Sequence, residues 1–246
     1  MIFTTFSPPG EIIGGHEARP HSRPYMAHLE TITGAGVQTC GGFLIRNDVV
    51  LTAAHCNNEK GDIIITLGAH DLRLKEESQQ VISVRRQILH PQYDAHTLNN
   101  DIMLLQLVSR AQLNSWVQVL ALPKPCQHVC PGATCSVAGW GRTSARRWRA
   151  SPTLQEVDVV VMEDTACQRN PDLKNYYYNG GNPSSFFSLP ASCFNSQGDS
   201  GGPLMCEATA QGIVSWGSTN GTPPGVYTRV SGFVPWILET MRKLEV

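Results

Sequence analysis

The sequence predicts an all-β protein that ends in one helix. Short apolar runs rich in β-branched residues recur along most of the chain, clusters of Gly, Pro, Asn and Asp separate them, and one stretch near the end changes to helical spacing. The composition agrees, since 22 Gly and 16 Pro with 41% apolar and 16% charged residues suit a turn-rich globular β protein better than a helical bundle or a disordered chain.

In chain order the runs are residues 42–45 (GFLI), 49–52 (VVLT), 63–67 (IIITL), 81–84 (VISV), 102–107 (IMLLQL), 135–139 (CSVAG), 157–161 (VDVVV), 212–216 (GIVSW) and 226–230 (VYTRV). Strands this short and this regularly punctuated favour antiparallel sheet curled into sandwiches or barrels. Residues 233–244 then place Phe233, Trp236, Ile237, Met241 and Leu244 at helical spacing. No repeat, low-complexity tract or Gly/Ser-rich linker interrupts the pattern. Residues 170–195 are the least orderly part. Their tyrosines and phenylalanines read as core aromatics, because a platform for stacking bases would want accompanying basic residues.

At 246 residues the chain has room for one large β domain or two smaller ones. Its 19 basic and 20 acidic side chains leave a formal charge of −1, so no global field points to nucleic acid, a polyanion or a membrane surface. The one local cluster, Arg142, Arg146, Arg147 and Arg149, reads as a solvated loop. No apolar stretch approaches the roughly 20 residues a bilayer-spanning helix needs, and no membrane span is expected. Residues 1–10 (MIFTTFSPPG) are short, broken by proline and without a basic residue, which suits a remnant of a leader or an atypical start rather than a complete signal peptide.

Eight cysteines are enough for several disulfides, and their wide spacing lacks the paired short spacings of a zinc ribbon or finger. An oxidising compartment follows. Cys126 and Cys130 flank His128, but a metal site would need a second comparable cluster of thiols or imidazoles, so no metal and no cofactor are expected.

Three segments carry chemistry. Gly198-Asp199-Ser200-Gly201-Gly202-Pro203 sets a serine between glycines, where a tight turn can aim the serine's own N–H and a neighbour's at a substrate carbonyl. The same Gly-x-Ser-x-Gly occurs in the nucleophile elbow of α/β-hydrolases, where the serine precedes its acid and histidine. Upstream, Leu51-Thr52-Ala53-Ala54-His55-Cys56 ends a β-like run on a histidine among small residues, and Asn99-Asn100-Asp101-Ile102 puts a carboxylate at the mouth of an apolar strand. Alone, that histidine is as readily structural and that aspartate as readily a turn residue. Together they run His, Asp, Ser, the order of chymotrypsin rather than of subtilisin or the α/β-hydrolases.

These segments, with Ile12-Ile13-Gly14-Gly15, Gly139-Trp140-Gly141 and Ser215-Trp216-Gly217, resemble the trypsin-like family over most of the chain. Pro20-His21-Ser22-Arg23-Pro24-Tyr25, Leu67-Gly68-Ala69-His70-Asp71 and Pro223-Pro224-Gly225-Val226 narrow the resemblance to its granule-protease group, that of granzymes, chymases and cathepsin G. The resemblance implies two packed six-stranded antiparallel β-barrels, roughly residues 12–118 and 119–246, with a triad of His55, Asp101 and Ser200 in the cleft between them. It implies an oxyanion hole at the N–H groups of Gly198 and Ser200, and substrate walls at Ser215, Trp216, Gly217 and Gly225. It implies activation by cleavage before Ile12, the new amino group pairing with Asp199, with residues 1–11 a leader and propeptide whose last two, Gly10-Glu11, look like the acidic dipeptide that a dipeptidyl peptidase removes. Disulfides Cys40–Cys56 and Cys135–Cys206 match the family, and Cys167 is assigned to Cys193. Protein or peptide substrates, serpin-type inhibitors and a place in the secretions or granules of leukocytes complete the picture.

The chain departs from the family in residues 170–195, which do not match the Cys-containing strand that normally walls the specificity pocket. With no Asp or Glu between Asp172 and Asp199, an apolar pocket is expected. A second reading, a catalytically weak or inactive homologue acting by binding or as an antimicrobial protein, rests on that same segment.

Overall fold

The computed structural model describes residues 15–34, 36–57, 61–125, 127–143, 150–161, 186–189, 199–216 and 225–244. Six strands close a barrel: β2 (Met26–Thr33), β3 (Gly36–Arg46), β4 (Val49–Thr52), β5 (Asp62–Leu67), β6 (Gln80–Leu89) and β7 (Met103–Leu107), in the order β2-β3-β4-β7-β6-β5 with β5 returning to β2. A second sheet holds β8 (Thr134–Gly139), β9 (Gln155–Val160), β10 (Phe186–Leu189), β11 (Pro203–Cys206), β12 (Thr209–Trp216) and β13 (Gly225–Arg229). A two-residue strand, β1 (His16–Glu17), joins its edge, and the ladder runs β1-β9-β8-β11-β12-β13-β10. Every strand pairing is antiparallel, and helix α1 (Val234–Lys243) ends the chain. The chymotrypsin-like fold is the one expected, its first barrel closed and its second half an open antiparallel sheet among the described residues.

Burial explains which runs made strands. All five residues of β7 (MLLQL) and all four of β4 (VVLT) are buried, as unbroken apolar runs must be when neighbours flank them on both sides. In β9 the pattern alternates, with Gln155, Val157 and Val159 in and Asp158 and Val160 out. Phe43, Leu44, Leu51, Ile65 and Leu104 are fully buried, each contributing about 1.5–3 kcal/mol relative to exposure. One continuous core links these residues to Trp140, Leu154, Ile213 and Ile237, so the two halves share their packing. A smaller cluster around Val137, Val159, Leu204, Val214 and Tyr227 fills the second sheet.

The chain ends cross over. β1 belongs by sequence to the first half, yet His16 and Glu17 pair with Glu156 and Gln155 of β9, Ala18 N–H donates to the Leu154 carbonyl, and Arg23 bonds Glu156 at 2.9 Å. Helix α1 instead packs on the first barrel. Arg46 of β3 donates to the Met241 carbonyl at 2.9 Å, and the His90 ring lies 5.2 Å from Phe233 and 4.9 Å from Trp236. Pro235 sits in the first turn of α1 and Arg242 and Lys243 in its last, where a missing N–H and positive charges respectively suit a helix. Each end of the chain thus packs against the half that lies opposite to it in sequence.

Candidate active site

Asp101 stands at the seam. It lies two residues before β7 with no exposed surface, a position a carboxylate holds only when hydrogen-bonded. Three donors meet it: the His55 backbone N–H at 2.8 Å on Oδ1, His55 Nδ1 at 2.7 Å on Oδ2, and the Ser215 hydroxyl on Oδ2. Thr228 donates to the Asp101 carbonyl at 3.0 Å. Ser215 lies on β12 and Thr228 on β13, so the second sheet holds a residue that belongs to the first barrel.

His55 sits in a single 3₁₀ turn, Ala54–Cys56, just after β4, with about a quarter of its side chain exposed. A carboxylate can only accept, so Nδ1 carries the proton and Nε2 keeps its lone pair for a partner. Nearby, burial first and the Asp101 charge second push the Tyr93 phenol up to about 12, which keeps it neutral.

Ser200 lies half-buried on the turn between Asp199 and β11. The Gly41 N–H donates to the Ser200 carbonyl at 2.7 Å, Gly201 N–H to the Val214 carbonyl at 2.8 Å and Gly202 N–H to the Asp199 carbonyl at 2.9 Å. Gly201 has φ +87°, and a Cβ there would fall 2.1 Å from Thr52 Oγ1, so no other residue fits. The Cys40–Cys56 disulfide ties the strand of Gly41 to the residue after His55, and the Cys56 sulfur rests 3.6 Å from the Ser200 carbonyl oxygen. Having no thiol proton, that sulfur makes a contact rather than a hydrogen bond. Ser200 and His55 are thus tied to the same short piece of β3.

Asp199 is 2% exposed, and its Oδ1 accepts the Gly141 N–H at 2.7 Å. A Cβ at Gly139 would lie 2.0 Å from that oxygen, which explains the glycine in Gly139-Trp140-Gly141. Cys135–Cys206 bridges β8 and β11 at the other end of their pairing.

Of the expected substrate walls, Ser215 is buried with its hydroxyl committed to Asp101, Trp216 is half-buried, and Gly225 opens β13 opposite Leu189 of β10. Trp216 pairs with Val226, placing Trp216 and Gly225 on neighbouring strands. β10 arises from the segment that departs from the family, and its backbone pairs with β13 over four residues. Ile12, Gly198, Gly217, Cys126, Cys167, Cys193, Arg146, Arg147, Arg149 and the Asn220 sequon lie outside the described residues, as do 170–185 and 190–195.

Gly41, Thr52 and Thr228, which sequence reading did not single out, all touch the site. Thr52 at least lay inside a quoted motif; the other two bear no local signal. Cys40, His55 and Cys56 converge as a metal site would, but both sulfurs are spent in the disulfide and offer no thiolate. Among the described residues no helix is long and apolar enough to cross a membrane.

A buried aspartate that orients an imidazole, and a serine on a glycine-built turn tied to the same strand as that imidazole, define a serine peptidase, and the chain belongs to the trypsin family, whose sequence profile matches residues 12–237. Among its relatives, human granzyme B is 51% identical over 239 residues (95% of this chain, 92% of granzyme B), and human cathepsin G is 47% identical over 249 residues (100% of this chain, 93% of cathepsin G). Bovine duodenase-1 is 48% identical over 251 residues, covering 99% of this chain and 95% of its own. The solved structure of GrC superposes with a TM-score of 0.84 at 43% identity, covering 94% of this chain and 100% of its own.

Proposed function

We propose that the chain is an endopeptidase that cleaves through an acyl-enzyme on Ser200, preferring bulky hydrophobic residues before the scissile bond. The observation that carries this reading is the buried Asp101 accepting from both His55 N–H groups and from Ser215. A serine hydroxyl is a weak nucleophile at neutral pH. His55 Nε2, left basic because Asp101 holds the proton on Nδ1, takes the Ser200 proton as Oγ attacks the carbonyl carbon. Asp101 stabilises the imidazolium, which then protonates the leaving amine. The N–H groups of Gly198 and Ser200 hold the oxyanion, each donor contributing about 3–4 kcal/mol in comparable enzymes. Water then repeats the sequence to release the acid.

The enzyme is made as a precursor. Removal of residues 1–11 frees the Ile12 amine to pair with the buried Asp199 carboxylate, an ion pair that holds only with both charges present. The full chain is expected to hydrolyse a peptide amide far more slowly than a chain trimmed to begin at Ile12. Equal rates would show that Ile12 is not the activating terminus.

Specificity follows from what the walls lack. Gly225 and Gly217 leave room for a ring or a long aliphatic group, whose burial is worth about 1.5–3 kcal/mol, while Arg or Lys would lose hydration with no partner. A peptide-library profile of the trimmed enzyme should show cleavage after Phe, Tyr, Leu or Met, and Gly225→Glu should add Lys and Arg. Dominant cleavage after Arg or Asp in the unaltered enzyme would place a charge in the pocket floor. Disulfides and the resemblance to granule proteases support storage in leukocyte granules or secretion, with serpin-type inhibitors and a dipeptidyl peptidase as partners.

A further inference from the structure

We infer that Thr52 is a positioning residue for the nucleophile, its hydroxyl clamping the Gly41 carbonyl so that the Gly41 N–H holds the Ser200 turn against the first barrel. This rests on the reading of Ser200 as the nucleophile. Thr52 is the last residue of β4, three before His55, and has no exposed surface. Its Oγ1 donates to the Gly41 carbonyl at 2.8 Å, while the Gly41 N–H donates to the Ser200 carbonyl at 2.7 Å.

Glycine has no Cβ to restrict its rotations, so the two peptide planes that meet at Gly41 are fixed by their bonds rather than by sterics. The last β3–β4 register pair toward this end is Phe43 with Leu51, and beyond it the Thr52 side chain supplies the link between the strands. The turn is seated on that link. A Cβ on Gly201 would lie 2.1 Å from Thr52 Oγ1 and 2.4 Å from the Gly41 carbonyl oxygen, and a Cβ on Gly41 would lie 3.1 Å from the Gly202 nitrogen. The turn around Ser200 therefore packs against this hydroxyl-to-carbonyl bond on the side of the barrel that carries His55 and Asp101, while the Gly201 N–H to Val214 bond holds it to the second sheet. Loosening it shifts Ser200 relative to His55 without touching substrate, and displacements on the order of 1 Å in such an arrangement cost up to roughly 100-fold in rate.

The test uses the full chain activated by removal of residues 1–11, with kcat expressed per active site titrated at Ser200 by a fluorophosphonate. Thr52→Val keeps the branched shape and loses the donor; Thr52→Ser keeps the donor and loses a buried methyl. The expected result is a kcat about 10- to 100-fold lower for Thr52→Val at an unchanged KM, with Thr52→Ser within about 3-fold of the unaltered enzyme. A purely structural role would lower the melting temperature and the titratable fraction but leave kcat per site alone, and that outcome overturns the proposal, as does a Ser variant as slow as the Val variant. Thr52→Ala set against Thr52→Ser repeats the comparison with the hydroxyl as the only difference, should Thr52→Val fail to fold. If the unaltered activated chain cleaves peptides without labelling at Ser200, the nucleophile assignment fails and this proposal with it; labelling at Ser200 with an unaffected Thr52→Val overturns this proposal alone.

Discussion

Ser200→Ala and His55→Ala are each expected to lower kcat on a peptide amide by on the order of 10⁶-fold, and the double variant to be little worse than either. The reason is that proton removal and nucleophilic attack belong to one step. Without the hydroxyl, the imidazole has no proton to take; without the imidazole, the hydroxyl stays protonated at neutral pH. What survives in all three variants is the contribution of the oxyanion donors and substrate binding, which sets a common floor. The measurement is kcat and KM for the two single variants and the double, with KM expected to change little. A double variant falling far below both singles would mean that the two side chains act in separate steps.

Asp101→Asn should cost about 10⁴-fold in kcat, from geometry already in place. The carboxylate accepts from three donors, two on Oδ2 and one on Oδ1. An amide has one acceptor oxygen and one donor nitrogen. If the amide oxygen takes the Oδ1 place, it keeps the His55 backbone N–H, and the NH₂ faces His55 Nδ1, which moves the imidazole proton to Nε2 and leaves nothing to take the serine proton. If it takes the Oδ2 place, it keeps His55 Nδ1 and Ser215, but the NH₂ is set against the His55 backbone N–H, which loses its acceptor at about 1–3 kcal/mol of stability. Paired kinetics and thermal unfolding separate the two arrangements, the first slow, the second destabilised. A variant within tenfold of the unaltered enzyme in kcat would overturn the claim that the Asp101 carboxylate is needed to set the tautomer.

Legibility of the fold in the sequence tracked burial. β4 and β7 are unbroken apolar runs, and sequence and structure agree on 49–52 and nearly so on 102–107. β2 escaped notice because it carries His28, Glu30 and Thr31 among its apolar residues. His28 is nonetheless buried, and its imidazole is held at about 4 by desolvation, so it sits neutral in a strand paired on both sides. β11 opens on Pro203, which punctuates a sequence like a turn yet is tolerated at the first position of a strand. β6 extends well past 81–84 because Arg86 and Gln87 resume the pairing with β7 after an irregularity at Arg85, both arginines staying exposed. For the site, residues whose side chains do the chemistry were legible from motif and order. Those that act through a backbone carbonyl, such as Thr228 on Asp101 across 127 residues and Thr52 on Gly41 across 11, were not, because a carbonyl acceptor leaves no mark on the residue type that supplies it.

The crossed termini change what holds the cleft shut. The stretch joining the last strand of the barrel, which ends at Leu107, to the first main strand of the second sheet, which begins at Thr134, is one covalent thread. Each half is also clasped by the opposite end of the chain, β1 on one side and α1 on the other. A nick in the joining stretch would therefore leave two pieces buckled together at both ends, with Asp101 still gripped by Ser215 and Thr228 across the seam. The cut that looks most damaging on paper is thus one that leaves both clasps in place, whereas a clip near either tip would undo one.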